Sequence, residues 1–155
     1  MPTTSSDSSL EVIATAVVRA SFRIYRDVGP GLLESVYELL LSARLSELGL
    51  PVERQHAVDL QYREVSVQGA FRVDLLVARR LVVEVKAAEQ MPAIALRQTL
   101  TYLRLLRLPL GLIVNFGGAD FNGAVRRVVN DHHMLEGSPL RIHRVAKPDP
   151  KHGTS

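Results

Sequence analysis

The chain has 155 residues, 46% hydrophobic and 23% charged, with a formal net charge of +3 and no cysteine. That length suits one domain with a sizeable core; no stretch approaches the roughly 20 apolar residues of a membrane span, and the lack of thiols excludes disulfides and thiolate zinc sites. The small positive charge permits a nucleic-acid partner without arguing for one, and the amino terminus has neither the basic region nor the apolar block of a secretory signal, so a cytoplasmic protein is expected.

Residues 1–7 read as a disordered leader. Ser8-Ser9-Leu10-Glu11 has capping-box spacing, and Ile13, Ala16, Val17, Ala20 and Ile24 then recur at helical period. Gly29-Pro30-Gly31 breaks this helix, and a second runs from about Leu32 to Leu48 on a stripe of Leu33, Val36, Leu40 and Leu41, stopped by Gly49 and Pro51. Val52 to Tyr62, Val67 to Val77 and Leu81 to Lys86 are rich in β-branched residues in near alternation and predict three strands. Pro92 to Arg107 returns to helical spacing, and Pro109 to Phe116 reads as a buried strand closed by Gly117-Gly118. Ala124 to Asn130 fits one more strand or a short helix, and residues 131–155 read as a weakly ordered tail after a domain spanning 8–130. The order predicts an α/β fold with a mixed sheet flanked by helices.

Lys86 is the only lysine among the first 146 residues. It shares a strand face with Glu84, and Asp74 lies in the preceding strand inside the apolar run Val73-Asp74-Leu75-Leu76-Val77. Asp74 and Glu84 face each other only if the hairpin between them has an odd loop, Ala78-Arg79-Arg80 being the simplest; a two-residue loop would put them on opposite faces. Facing carboxylates suit a hard cation, magnesium or manganese, with the Val85 backbone carbonyl as third ligand. Beside them Lys86 would orient a water or neutralise an oxyanion, which points to phosphodiester hydrolysis. The plain alternative is ion pairing on a solvated sheet face.

Glu34 stands in the first turn of the second helix, either as a favourable charge at its amino end or as a further acid reaching the metal. Tyr37 follows at helical spacing and reads equally well as core. Gln98 and Tyr102 stack four apart on the third helix and would hold a phosphate or a water if that face meets the acids, and are solvated otherwise. The arginines at 19, 23 and 26, and the pairs Arg79-Arg80 and Arg126-Arg127, are charged surface unless they cluster beside the acids. His132 and His133 make a poor zinc site.

Gly31-Leu32-Leu33-Glu34-Ser35-Val36-Tyr37 resembles the signature of the GxxExxY protein family. The likeness extends to Arg72-Val73-Asp74-Leu75-Leu76, Glu84-Val85-Lys86, Gln98 with Thr101-Tyr102-Leu103, and Asn115-Phe116, and covers roughly residues 10–130. That family is grouped with the PD-(D/E)XK nucleases, so the resemblance implies a restriction-endonuclease-like αβββαβ core and a magnesium- or manganese-dependent nuclease acting on nucleic acid, DNA being expected. It implies Asp74, Glu84 and Lys86 as the metal-binding and catalytic motif, Glu34 as the helical acid, and Gln98 with Tyr102 as the Gln-x-x-x-Tyr pair of RecB-type nucleases. Two positions depart from the pattern: Val73 replaces the usual proline of the motif, and Tyr25 stands where the family often has histidine. A module that keeps the fold and binds nucleic acid without cleaving it is the runner-up. A homodimer is compatible with this size.

Overall fold

A computed structural model describes residues 5–131 and 140–141. It consists of α1 (Ser5–Val28), α2 (Glu34–Glu47), β1 (Val52–Tyr62), β2 (Val65–Val77), β3 (Leu81–Lys86), α3 (Ala93–Leu106), β4 (Leu110–Asn115), β5 (Val125–Val129) and β6 (Leu140–Arg141). The strands form one sheet in the order β5-β4-β3-β2-β1-β6, antiparallel throughout except for the parallel pair β3 and β4. A parallel pair cannot be joined by a hairpin, and α3 is the crossover that joins this one. The expected αβββαβ core is therefore present.

The ends differ from expectation. α1 begins at Ser5, so three residues of the expected leader are helical, and Glu11 does not close a capping box: its carboxylate binds the Arg127 guanidinium at 2.6 and 3.1 Å. The segment expected as strand or short helix over Ala124 to Asn130 resolves as strand β5, Val125–Val129, whose Val125 pairs with Val114. Leu140 and Arg141, within the expected tail, pair with Tyr62 and Gln61. Residues 1–4, the His132-His133 pair and the remainder of the expected tail lie outside the described residues.

Each sheet face packs its own helices. Leu75, Val77, Leu81, Val83, Val85, Leu112 and Val114 meet α1 and α2 through Val17, Ala20, Tyr37, Leu41 and Leu45. Leu76, Val82 and Ile113 lie on the other face with Ala95 and Leu103 of α3. β3 and β4 are covered on both sides, which explains their unbroken apolar runs.

Val77 pairs with Leu81, Leu76 with Val82 and Leu75 with Val83, so Ala78-Arg79-Arg80 is the three-residue loop that puts Asp74 and Glu84 on one face. The loop has no glycine. Ala78 (φ 51°) and Arg79 (φ 56°) adopt the left-handed conformation instead, and the Ala78 N–H donates to the Pro51 carbonyl while Arg79 Nε donates to Glu53 at 3.0 Å.

β1 and β2 run on past the end of β3 as a two-stranded ribbon. Beyond Asp74 it swings toward α3: Val73, Phe71 and Val58 pack with the α3 cluster, whereas Leu75 and Val77 pack with α1 and α2. Gln55, opposite the turning point, has φ 51° amid extended neighbours, a local distortion of the kind that increases twist and re-aims side chains.

The glycine–tyrosine spacing has a structural reason. Gly29 and Gly31 have φ of 68° and 114°, which side-chain-bearing residues rarely adopt. Six residues beyond Gly31, the buried Tyr37 stacks on Phe116 with ring centroids 4.5 Å apart. Its hydroxyl donates to the Gly29 carbonyl (2.5 Å) and accepts from the Leu32 N–H (3.2 Å), which ties the inter-helix loop to the core.

Candidate active site

Strand pairing between β2 and β3 ends at Leu75 and Val83, one residue short of the acids. From there side chains replace the backbone ladder. The Asp74 N–H donates to Glu84 Oε1 (3.2 Å), and the Val85 N–H donates to Asp74 Oδ2 (2.9 Å). The apolar strand around Glu84 leaves it only 6% exposed. Burial, the adjacent Asp74 charge and a hydrogen bond between the two carboxyl groups push its pKa up to about 8, against the pull of the Asp74 N–H and the Lys86 charge. Paired carboxylates in this state are relieved by a proton or by a cation.

Lys86 is half-buried at the end of β3 and, among the described residues, forms no ion pair. The plain reading of the acids and lysine as surface salt bridges is therefore not what the structure contains. Beyond Lys86 the strand is clamped to β4. The Phe116 N–H donates to the Lys86 carbonyl, and the Asn115 side chain bonds both the N–H and the carbonyl of Ala88. Gly117 closes this crossing: a Cβ there would lie within 2.6 Å of backbone atoms of Ala87 and Ala88.

Val85 presents its N–H to Asp74, on the edge facing β2, while the Lys86 carbonyl faces β4. Alternation along a strand puts the Val85 carbonyl on the same edge as its N–H, towards the acids. Asp74, Glu84 and this carbonyl could offer a cation oxygen atoms only, which suits magnesium or manganese. Among the described residues no group of three or more acidic or histidine side chains could hold a metal, so water and substrate oxygens would complete the shell.

Tyr102 faces the acids. Burial and the charges of Glu84 and Asp74 raise its phenol pKa, and its ring meets Phe71 edge-on at 5.7 Å. Gln98, one turn earlier on α3, is exposed.

Glu34 is not brought to this cluster. It is exposed in the first turn of α2, where its charge favours the helix amino end. The acid that reaches inward is Glu38, one turn later and 5% exposed. Its carboxylate accepts from Arg54 Nε (3.3 Å) and Gln55 Nε2 (2.9 Å), and the same Gln55 amide donates to Asp74 Oδ1 (3.3 Å). Burial raises the Glu38 pKa, with Asp74 adding to the rise and Gln55 and Arg54 opposing it. Neither Glu38 nor Gln55 belongs to a motif of the sequence; Glu38 is marked there only by following Tyr37 in α2.

Of the arginine pairs, Arg126 lies opposite Ile113, itself opposite Glu84, and three others have partners of their own. Arg79 binds Glu53, Arg80 donates to the Ser9 hydroxyl, and Arg127 binds Glu11. Among the described residues, no helix is long and apolar enough to cross a membrane.

Residues 11–128 match the family model described as the PD-(D/E)XK nuclease superfamily. No curated protein and no solved structure matches the chain.

Proposed function

From a chain that belongs to the PD-(D/E)XK nuclease superfamily, we propose a metal-dependent nuclease that hydrolyses phosphodiester bonds in DNA and is, within that superfamily, a GxxExxY protein. The observation that carries this reading is the junction of Asp74 and Glu84 where strand pairing stops, with Lys86 two residues along the same strand face. Asp74, Glu84 and the Val85 carbonyl would hold the cation, magnesium or manganese. When bound, the ion acidifies water and offsets charge on the phosphate. To serve as a ligand Glu84 would have to give up the proton that its raised pKa retains, because a ligating carboxylate must be deprotonated.

Lys86 brings a positive charge that forms no ion pair among the described residues. It orients the attacking water or stabilises charge growing on the non-bridging phosphate oxygens as the water oxygen bonds to phosphorus, its proton passing to solvent, and the deoxyribose oxygen departs and takes a proton from solvent. Tyr102 offers its hydroxyl to the phosphate from the α3 side, and Gln98, exposed one turn away, meets the strand next to it. Glu38 takes the place first given to Glu34 as the helical acid and acts through Gln55 on Asp74.

The test is cleavage of plasmid, linear duplex and single-stranded DNA with magnesium or manganese against EDTA, with Asp74→Ala and Lys86→Ala preparations alongside. Wild type should cut only with metal, and both folded variants should fail. Wild type as inert as the variants on every substrate would replace this reading with a binding module that keeps the nuclease fold.

A further inference from the structure

We infer that Gln55 is a positioning residue for the metal site: one side-chain amide holds the carboxylates of Asp74 and Glu38 in fixed relation, and a left-handed backbone aims it there. The inference rests on the proposed metal-dependent reading.

Three observations meet at this residue. Gln55 Nε2 donates to Glu38 Oε2 at 2.9 Å and to Asp74 Oδ1 at 3.3 Å, so both amide hydrogens point at carboxylates from different elements. The backbone of Gln55 has φ 51°, uncommon for a residue bearing a side chain, at the point where the β1–β2 ribbon turns from one sheet face to the other. Arg54, the preceding residue, binds the other oxygen of Glu38 at 3.3 Å, so consecutive β1 residues grip a buried acid with both its oxygens occupied.

Without Gln55, Asp74 would keep the Val85 N–H on Oδ2 and its contact with the Glu84 carboxyl, and would lose the amide donor on Oδ1 that ties it to Glu38. With it, both Asp74 oxygens are oriented, and each keeps an acceptor position for a cation. The amide also lies between two carboxylates that repel each other, so it lowers the cost of keeping Glu38 beside the site. Groups that hold a ligating carboxylate typically change metal affinity by about 10- to 100-fold when removed. A residue present only to shape the ribbon would have no such effect once the ribbon is intact.

The substitution that separates these roles is Gln55→Gly. It removes the amide but suits the left-handed φ better than glutamine does, so the bend survives. Manganese is titrated calorimetrically into the metal-free full chain of wild type, Gln55→Gly and Gln55→Leu, with thermal unfolding of each. The expected result is manganese affinity about tenfold weaker in Gln55→Gly at a near-native Tm, with half-maximal cleavage shifted to correspondingly higher manganese. Wild-type affinity in a folded Gln55→Gly protein overturns the inference, whatever Gln55→Leu does. If Gln55→Leu unfolds while Gln55→Gly is folded and binds weakly, the inference stands. Absence of binding heat in wild type overturns the metal-dependent reading itself and this inference with it, an outcome distinct from equal binding by wild type and variant.

Discussion

The Asp74 backbone N–H is held by the Glu84 carboxylate at 3.2 Å, and the Asp74 carboxylate is held by the N–H following Glu84 at 2.9 Å. The two acids thus substitute for the strand pairing that their own position interrupts. Their ionisation and the local integrity of the sheet are linked.

The first expectation concerns pH. The Glu84 carboxyl ionises near 8 in the folded protein against an ordinary 4.5. Between those values the native state holds a proton that the unfolded chain has lost, so the contribution is complete below about 4.5 and fades as pH rises towards 8. Metal-free protein should lose stability over that interval by at most about 1.4 kcal/mol per pH unit. Glu84→Gln should flatten the slope in urea unfolding at a series of pH values. The same slope in both proteins would place the titration elsewhere. Manganese affinity should rise over the same interval, because binding expels that proton.

Lys86→Ala should abolish metal-dependent cleavage while costing no more than about 0.5–1 kcal/mol of stability, since the half-buried ammonium forms no ion pair among the described residues. Lys86→Arg should not restore cleavage, because a planar fork does not present charge where a compact ammonium does. Cleavage rates and urea midpoints of the purified variants check both statements; an active Lys86→Ala enzyme would remove the lysine from the chemistry.

Glu34 and Glu38 should separate cleanly. Glu34→Ala alters an exposed helix-end charge and should change stability by no more than about 0.5 kcal/mol with manganese affinity intact. Glu38→Ala leaves the Gln55 amide and Arg54 without their shared acceptor and should weaken manganese binding. Calorimetric titration of the two variants decides between them, and a reversed result would return the helical acid to Glu34.

Tyr37→Phe keeps the stacking on Phe116 but removes the bonds to Gly29 and Leu32. Two hydrogen bonds with part-buried backbone partners should cost about 1–3 kcal/mol together. Urea unfolding measures it, and a loss below a few tenths of a kcal/mol would mean the inter-helix loop holds itself.

Much of this was legible in the chain. β1 and β3 fall at the residues that alternation predicted, and the Asp74–Glu84 register followed from loop parity because side chains on a strand repeat every two residues. Glu38 was not legible. Helical period locates a face, but which acid on that face is drawn inward depended on Gln55, and nothing in β1 marked a glutamine among extended neighbours as left-handed. Glu11 was misread for a similar reason: its spacing fitted a local cap, while its partner Arg127 lies at the far end of the domain sequence. Contacts across long sequence separations leave no periodic trace.

The sheet ends unequally on the two sides of the acids. β3 and β4 stay in register through Lys86 and Asn115 and are then pinned by the Asn115 side chain and by the Gly117 crossing, which has no room for a methyl group. β2 parts from β3 at Leu75 and continues as the two-stranded ribbon. Glu84 and Lys86 thus stand on a strand anchored to β4, and Asp74 on a ribbon that β3 no longer flanks. A cation held by Asp74 and Glu84, as proposed, would join a strand paired with β4 to a strand paired there with β1 alone.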